Sequence, residues 1–277
     1  MADDETSEFA GRSMQSWDDL LYRLKDLGCL TVAFSGGVDS RFLVHAALHA
    51  GVLVRLVHVS GPHVAPADTS FALAWADGRG VAVRVLELDP LGLPAVAAGE
   101  KDRCYACKSF LFRQIRDVAE GVLCDGSNAS DTGQFRPGMR ALHELGIVSP
   151  LAGAGLSKDM IRTLGQETGL ERPDQQSRAC LLTRLPYGMS PQRELLVKLA
   201  EGERVVEGVL RLAGYGETPF RLRVGQHGSC ELHVALASLP SRLTELLGNS
   251  LHEIGFSPIP IRCMTNISGY FDRTQPS

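Results

Sequence analysis

Short apolar runs typical of β-strands alternate with helical patterns along the first half of the chain, and this alternation constrains the fold more than any other feature. Residues 17–27 have apolar side chains at the i, i+3, i+4, i+7 spacing of an amphipathic helix. The runs that follow are predicted strands at 29–34, 52–59, 81–88 and 122–124 and predicted helices at 41–50, 67–78 and 107–120. Because the strands are short, apolar and separated by helices, they indicate a parallel sheet covered on both faces. The sequence therefore predicts an α/β fold with a doubly wound parallel sheet.

The second half of the chain is predicted to contain a smaller α/β domain. Before it, we expect a short strand at 147–150, and Ser157 is predicted to cap the next helix. Residues 171–190 are rich in Pro, Arg, Gln and Gly and lack periodicity, which is typical of a linker or an active-site loop. The elements expected beyond this loop are helices at 192–212 and 239–247 and strands at 220–224, 230–234 and 259–263. The predicted organisation is an acidic flexible N-terminus at 1–18, a first domain at 19–170, the loop at 171–190 and a smaller domain at 191–277.

The charge balance excludes several classes of protein. The chain has 28 Lys and Arg against 32 Asp and Glu, so it lacks the broad basic field of a dedicated nucleic-acid-binding module. The first eighteen residues carry five acids and one Arg, a composition that matches neither a secretory signal nor a transit peptide. No stretch reaches the roughly 18 uninterrupted apolar residues of a membrane span. We therefore expect a cytoplasmic protein with no membrane segment and no nucleic-acid partner.

A glycine-rich loop at the first predicted strand-to-helix junction carries the strongest chemical signal. It consists of Ser35, Gly36, Gly37, Val38, Asp39 and Ser40. The glycines let the backbone close around an anion, and the helix that follows presents unpaired N–H groups and a partial positive charge. The loop lacks the Lys of the P-loop NTPases and carries an Asp instead. This composition suits a site that holds the pyrophosphate of ATP with Mg²⁺ while the α-phosphate is attacked, so we expect adenylation with release of pyrophosphate.

The cysteines are predicted to be thiols rather than a disulfide framework. The chain has seven of them, an odd number, and no export signal. Cys104 and Cys107 have a spacing that suits one metal centre, but the same spacing occurs in redox pairs, half zinc sites and uncoordinated thiols. Cys29, Cys124 and Cys263 lie in apolar strand contexts and are expected to be small core residues.

The glycine-rich loop resembles the signature of the PP-loop ATP pyrophosphatases, which include asparagine synthetase-type amidotransferases, NAD synthetase and tRNA thiolation enzymes. Further motifs follow in order: Cys104-Tyr105-Ala106-Cys107, Asp125-Gly126-Ser127-Asn128, Arg136-Pro137-Gly138, Ser149-Pro150-Leu151 and Ala179-Cys180-Leu181-Leu182-Thr183-Arg184. Together they resemble the LarE family, ATP-dependent sulfur transferases that build the nickel-pincer cofactor of lactate racemase. The resemblance runs from about residue 30 to residue 224.

The resemblance implies a reaction and roles for individual residues. The family substrate is pyridinium-3,5-biscarboxylic acid mononucleotide, whose carboxylate is adenylated and then converted to a thiocarboxylate. Cys180 matches the sulfur-bearing cysteine of the family. Asp39 and Asp131 are implied in the binding of Mg²⁺ and ATP, and Lys158 and Arg162 in the stabilisation of phosphate or carboxylate charge.

The source of the sulfur divides the family. Some members give up the sulfur of their own cysteine, whereas others hold a [4Fe-4S] cluster on three cysteines and require a sulfide donor. Cys104, Cys107 and Cys180 match the three-cysteine type. Arg178 and Arg184 flank Cys180 in the sequence, and their charge is expected to depress the pKa of its thiol.

The substrate site is predicted from the second half of the chain. Arg221 and Arg223 place two guanidiniums on one strand face, an arrangement that suits the phosphate of a mononucleotide, although two solvated surface arginines would give the same pattern. The resemblance assigns Arg184 and Glu207 to the same pocket, although an ordinary glutamate on a helix surface would equally explain Glu207, and it implies a homo-oligomer. A tRNA thiolase, an amide-forming ligase and a nucleotide-binding regulatory protein remain alternative functions.

Overall fold

The computed structural model describes residues 2–131, 137–225 and 228–275, with side chains from Ser13 onward. The chain divides into two compact units. The first unit consists of Met1–Ser60, Asp68–Leu88 and Cys104–Gln175. The second consists of Gly61–Ala67, Asp89–Arg103 and Gln176–Ser277. The domain limits drawn from the sequence stay predictions.

A four-stranded parallel sheet forms the centre of the first unit. Its strands are β1 (Leu30–Ala33), β2 (Val54–Ser60), β3 (Val83–Glu87) and β4 (Val122–Cys124), in the order β3-β2-β1-β4. Strand β1 is central, and its Val32 pairs with Leu56 of β2 and with Cys124 of β4. The all-parallel sheet confirms the predicted α/β class and is consistent with a Rossmann-like PP-loop fold.

Helices surround this sheet. They are α1 (Ala2–Leu27), α2 (Val38–His49), α3 (Pro66–Asp77), α5 (Arg103–Arg116), α6 (Pro137–Glu144), α7 (Pro150–Gly153) and α8 (Lys158–Glu167), whereas α4 (Pro94–Ala97) belongs to the second unit. Helix α1 begins at Ala2, so the N-terminal stretch expected to be flexible is helical. The apolar period that predicts this helix starts only at Trp17, whereas acidic residues near a helix N-terminus favour helix by a different, electrostatic route. The four-residue helices α4 and α7 are too short for periodicity to reveal.

Both faces of the parallel sheet are buried. Leu56 and Val57 are consecutive residues of β2, yet they belong to two different hydrophobic clusters, as the alternation of side chains along a strand requires. One cluster joins the sheet to α1, α2, α3 and α8, and the other joins it to α5 through Ile115. Each fully buried aliphatic side chain contributes about 1.5–3 kcal/mol. The packing on both faces therefore holds the carboxyl ends of β1 and β4, where the candidate site lies.

The second unit contains a three-stranded sheet and its helices. Its elements are α9 (Arg193–Leu212), β5 (Phe220–Val224), β6 (Cys230–Val234), α10 (Ser241–Glu253), β7 (Ile261–Cys263) and α11 (Tyr270–Thr274). The sheet order is β5-β6-β7, with β5 antiparallel and β7 parallel to β6. Gly202 lets α9 pack closely on this sheet, since a Cβ there would lie 2.5 Å from Leu222 Cδ2.

The burial of three cysteines and the strand expected at 147–150 differ in part from the sequence predictions. Cys124 is buried as expected, but Cys29 is only half-buried and Cys263 is exposed, because β7 is an edge strand. The predicted strand at 147–150 is reduced to a single bridge between Val148 and Cys124, because the chain turns into α7 at Pro150.

Within the described part of the chain, no helix combines the length and apolar character needed to cross a membrane.

Candidate active site

The order of the parallel strands reverses at β1, which creates a crevice at the carboxyl ends of β1 and β4. The chain leaves β1 toward β2 on one side, while β4 pairs with β1 on the other. Connections that diverge from neighbouring strands in this way leave room for a ligand between them. The loop at 34–37 follows β1 and the loop at 125–128 follows β4, so both predicted motifs border the same crevice.

Two glycines allow the loops to pack closely. Gly36 has a φ of +75°, in the left-handed region that favours glycine, and a Cβ there would lie 2.7 Å from Ala72 Cβ. A Cβ at Gly126 would lie 2.9 Å from the backbone nitrogen of Ser40. The first loop therefore rests on α3, and the second rests on the N-terminus of α2.

The glycine-rich loop has the construction of a phosphate cradle. The Gly37 N–H donates to Ser35 Oγ at 3.3 Å, and Ser40 Oγ donates to the Gly37 carbonyl at 3.1 Å. Gly37 is also the N-cap residue of α2, and it has no side chain with which to satisfy the first N–H groups of the helix. Those donors and the positive end of the helix dipole suit an anion.

Asp39 lies in the first turn of α2, and one of its two carboxylate oxygens is buried without a hydrogen-bond partner among the described residues. Burial raises its pKa, and Asp131 raises it further, while Lys158 and a hydrogen bond from Asn128 act in the opposite direction. Its Oδ1 is buried and has no hydrogen-bond partner among the described residues. A buried oxygen without a partner is costly, and carboxylate oxygens are preferred ligands of Mg²⁺. The site therefore fits a Mg²⁺-bound phosphate.

Helix α8 brings two cations to Asp39. Lys158 is the first residue of this helix, and Ser157 Oγ caps it by accepting the Met160 N–H at 3.3 Å, which confirms the predicted cap. Lys158 and Arg162 both lower the pKa of Asp39 through their charge. The Nε of Arg162 is buried and has no hydrogen-bond partner within the described ranges.

The loop after β4 completes this group. Asp131 Oδ2 accepts the Asn128 N–H at 3.2 Å, which holds Asp131 close to Asp39. Asp125 has both oxygens occupied, by Ser127 Oγ at 2.5 Å and Ser149 Oγ at 2.6 Å, so it shapes the loop. The structure thus brings together the four residues that the resemblance implied at the ATP site: Asp39, Asp131, Lys158 and Arg162.

In the second unit, Cys180 lies at an ordered turn within the loop that was predicted to be irregular. A 3-10 turn spans Leu181–Arg184 directly after it. The Cys180 carbonyl accepts the Thr183 N–H at 3.0 Å and the Thr183 hydroxyl at 2.8 Å. The Leu181 N–H donates to the His63 carbonyl at 2.9 Å. The thiol is half-buried and its backbone is held on both sides.

Arg184 forms a buried ion pair that the sequence analysis did not identify. Its guanidinium donates to both carboxylate oxygens of Glu203, at 2.7 and 2.8 Å. Burial alone would raise the pKa of Glu203, but the charge and hydrogen bonds of Arg184 hold it below its ordinary value. Glu203 lies one helical turn before Glu207 on α9. Its position on the same helix face as Glu207 is the sequence feature that could have identified it.

The other arginine beside Cys180 is also paired with a glutamate. Glu207 Oε1 accepts from Arg178 at 2.8 Å and from Arg211 at 2.8 Å. The expectation that Arg178 and Arg184 depress the pKa of the Cys180 thiol omitted both glutamates. Glu203 and Glu207 therefore compensate part of the positive charge that these two arginines provide.

Arg223 is buried rather than solvated. It is 4% exposed and donates to the Thr183 carbonyl at 2.8 Å and to the Ile267 carbonyl. Burial lowers its pKa to about 10, and the charges of Arg184 and Arg221 contribute to this decrease. The surface-arginine alternative is therefore wrong for Arg223.

Arg221 lies on the same face of β5, as the strand period predicted. Its guanidinium donates to the Ser177 carbonyl and, at 2.6 Å, to the Phe220 carbonyl. Its charge also reaches Glu203 and Arg223. Three predicted substrate residues, Arg184, Arg221 and Arg223, thus form one cluster around the Cys180 turn, and Glu207 binds Arg178 beside it.

The three cysteines predicted to hold a cluster are divided between the units. Cys104 is exposed and Cys107 is buried, both in the first turn of α5 in the first unit, whereas Cys180 belongs to the second unit. No group of three or more His, Cys, Asp or Glu side chains in the described part of the chain is arranged to hold a metal ion. Cluster ligation stays a prediction. Arg136 of the third motif lies outside the described residues.

Comparison with known proteins identifies relatives over most of the chain, although no family model matches it. An uncharacterised protein of Synechocystis, slr1717, is 31% identical over 195 residues, which cover 69% of this chain and 71% of that protein. Pyridinium-3,5-bisthiocarboxylic acid mononucleotide synthase of Lactiplantibacillus plantarum is 28% identical over 196 residues, covering 69% and 71%. An uncharacterised protein of Methanocaldococcus jannaschii, MJ0830, is 27% identical over 194 residues, covering 67% and 74%.

Proposed function

The chain belongs to the family of the Synechocystis protein slr1717, and from this premise we propose that it is an ATP-dependent sulfur transferase of the LarE family. Its substrate is pyridinium-3,5-biscarboxylic acid mononucleotide, and its product is a thiocarboxylate used in nickel-pincer cofactor biosynthesis. The name of the Lactiplantibacillus relative supports this product class. The observation that carries the proposal is the glycine-rich loop at the start of α2 beside Asp39, whose buried Oδ1 has no hydrogen-bond partner in the described part of the chain.

The first step is adenylation of the substrate. A carboxylate oxygen attacks the α-phosphorus of ATP, and the bond from that phosphorus to the bridging oxygen breaks, so that pyrophosphate leaves with the electron pair. The N–H groups at the start of α2 and the Ser40 hydroxyl hold the departing pyrophosphate. Asp39 and Asp131 would hold Mg²⁺, and Lys158 and Arg162 compensate the charge that develops on the phosphates.

The second step forms the carbon–sulfur bond. A sulfur nucleophile at Cys180 attacks the acyl carbon, and the bond to the AMP oxygen breaks with release of AMP. The turn at Leu181–Arg184 fixes the direction of the cysteine. Arg221 and Arg223 are proposed to hold the phosphate of the mononucleotide, with Arg184 and Glu207 in the same pocket.

Two sources of sulfur remain alternatives in this proposal. In the first, Cys104, Cys107 and Cys180 would hold a [4Fe-4S] cluster, which would carry a bound sulfide for transfer and would require a sulfide donor. In the second, the Cys180 sulfur itself is transferred: the Cα proton of the Cys180 thioester is lost to a base, the Cα–Cβ double bond of dehydroalanine forms, and the thiocarboxylate leaves with the electrons of the Cβ–S bond. The order and chemistry of adenylation are the same in both.

The proposal is tested with anaerobically purified full-length protein, ATP, Mg²⁺ and the pyridinium biscarboxylate mononucleotide. We expect pyrophosphate release that depends on the mononucleotide and a product whose mass shows replacement of oxygen by sulfur. Ser40→Ala should reduce the release at least tenfold, since it removes a hydroxyl that stabilises the leaving group. Release that responds to RNA and not to the mononucleotide would favour a tRNA thiolase instead. Absence of release with either would overturn the proposal.

A further inference from the structure

Arg41 directly follows the glycine-rich loop, and none of the roles proposed above involves it. It lies in α2 and is 0% exposed. Its Nε donates to the Gly36 carbonyl at 3.0 Å. The rest of its guanidinium donates to the Glu171 carbonyl at 2.5 Å, the Arg172 carbonyl at 3.1 Å and Gln175 Oε1 at 2.5 Å. One side chain thus joins the phosphate loop to residues 130 to 134 positions further along the chain.

Two aromatic side chains of α3 lie beside this guanidinium. The Arg41 Cζ lies 5.3 Å from the centre of the Phe71 ring and 5.9 Å from that of Trp75, which suits cation–π attraction. Ala72, on the same helix, is the residue against which Gly36 packs. The position of the loop and the position of the guanidinium are therefore set by the same surface.

The chemistry of the side chain suits a fixed connection. A buried charge is retained only when its hydrogen-bond donors are satisfied. The guanidinium is a rigid planar fork with five donors, so it can bond the loop and the distant segment at the same time in one geometry. A Lys ammonium at this position would keep the charge but could not reproduce the fork.

Residues 171–175 include a strained backbone position. Arg172 has a φ of 51°, and it is the only residue other than glycine with a positive φ among the described residues. Such a conformation persists where the surroundings hold it and is common in segments that switch. Here its carbonyl accepts from Arg41, and its own guanidinium lies 5.6 Å from the Phe71 ring.

We propose that Arg41 is a positioning residue that couples phosphate binding at the glycine-rich loop to the conformation of residues 171–175. Phosphate that binds the N–H groups of the loop fixes the Gly36 peptide. Because the same guanidinium bonds Gly36 and the 171–175 backbone, ordering of the loop also orders that segment. Residues 171–175 lead along the chain into the loop that carries Cys180. The inference rests on the proposed function only in requiring that the loop binds phosphate.

Amide hydrogen exchange with inorganic pyrophosphate and Mg²⁺ as the probe tests this coupling. In the wild-type chain, pyrophosphate should slow exchange in peptides covering 171–175 by at least a few-fold. In Arg41→Met and Arg41→Lys, basal exchange there should rise, pyrophosphate should no longer slow it, and pyrophosphate affinity should fall about tenfold, as expected for lost hydrogen bonds to a charged group. Gln175→Ala removes one acceptor only and should lose part of the protection.

A stability-matched control separates coupling from general damage. Leu24→Ala removes a core side chain of α1 that is 0% exposed, so it destabilises the first unit without touching the connection. It should keep both the affinity and the protection of 171–175. If the wild type binds pyrophosphate but exchange at 171–175 does not respond, or if Arg41→Lys keeps the response, the inference is overturned and the proposed function stands. If the wild type does not bind pyrophosphate, both are overturned.

Discussion

At the scale of single residues, the placement of the Asp39 carboxylate costs stability. Burial raises its pKa, which means that the folded protein disfavours its charged form. A carboxyl group whose pKa is raised by folding lowers the free energy of unfolding as the pH rises above the pKa that the group has in the unfolded chain. Carboxylates of this kind, partly buried in a crevice with one oxygen unpaired among the described residues, are typical of functional sites.

Asp39→Asn should therefore separate stability from activity. The amide keeps the shape and removes the buried charge, so the unfolding midpoint in urea at pH 7 should stay equal or rise. Pyrophosphate release should fall at least a hundredfold, since the carboxylate proposed to bind Mg²⁺ is lost. An unfolding midpoint that falls along with activity would indicate that Asp39 is a structural residue.

Glu203 should be the most sensitive carboxylate in the second unit. Glu203→Gln leaves Arg184 buried with an unpaired charge, at a cost of about 3–5 kcal/mol in the free energy of unfolding. Glu207→Gln is the matched control on the same helix, and it should cost about 1 kcal/mol or less, because its partners Arg178 and Arg211 are more exposed. Equal costs from chemical denaturation would contradict this ranking.

The cysteines decide the source of sulfur. If Cys104, Cys107 and Cys180 hold one cluster, each single change to Ala should remove most of the cluster absorbance and the repeated turnover supported by sulfide. We expect this outcome from the three-cysteine pattern. A wild-type chain that instead loses about 34 Da after one turnover, while Cys104→Ala and Cys107→Ala remain active, would establish sacrifice of the Cys180 sulfur.

At the scale of elements, the junction of β1 and α2 depends on one close packing contact. The N-terminus of α2 can serve as a phosphate site only because the preceding loop lies against α3, and this position requires a left-handed Gly36 without a side chain. The cap at Ser157 similarly fixes where α8 begins, and so where Lys158 and Arg162 lie.

Gly36→Ala should lower the free energy of unfolding more than the same substitution at a glycine with an equal φ and free space around it. Gly28 is the matched control, since its φ of +74° is nearly the same as that of Gly36 and nothing lies within 4 Å of an added Cβ. Gly28→Ala should cost about 1–2 kcal/mol from the left-handed backbone alone. Gly36→Ala adds a collision with Ala72, so its unfolding free energy should fall further and pyrophosphate binding should be lost. If both variants bind pyrophosphate equally well, the loop does not need its packing on α3.

At the scale of the whole molecule, buried histidines set the response to acid. Burial lowers the pKa of His45 to about 4 and that of His63 to about 4, and it also lowers the pKa values of His58 and His233. The unfolded chain therefore binds more protons than the folded chain between pH of about 4 and the ordinary histidine pKa of about 6.5.

The free energy of unfolding should fall as the pH falls through this window. The slope is at most about 1.4 kcal/mol per pH unit for each histidine that differs by one proton between the two states. Urea unfolding at several pH values between 7.5 and 4.5 measures it. His45→Gln should reduce the slope by the share of one residue, whereas an unchanged slope would show that His45 titrates alike in both states.

Local sequence patterns determined most of the elements and the position of the glycine-rich loop. Strands β4, β5 and β6 begin and end where the pattern predicts, and the loop joins a buried strand to a helix as expected. Such features depend on residues close together in the chain, through side-chain period, glycine and capping. The resemblance added the set Asp39, Asp131, Lys158 and Arg162, which the structure brings together.

Only the tertiary structure decided which charges compensate one another. Arg184 pairs with Glu203, Arg178 pairs with Glu207, and Arg41 bonds carbonyls about 130 residues away. The structure also placed Gly61–Ala67 and Asp89–Arg103 in the second unit, although they lie between segments of the first. The physical reason is that burial and charge pairing depend on distances between residues remote in sequence. No local pattern records those distances.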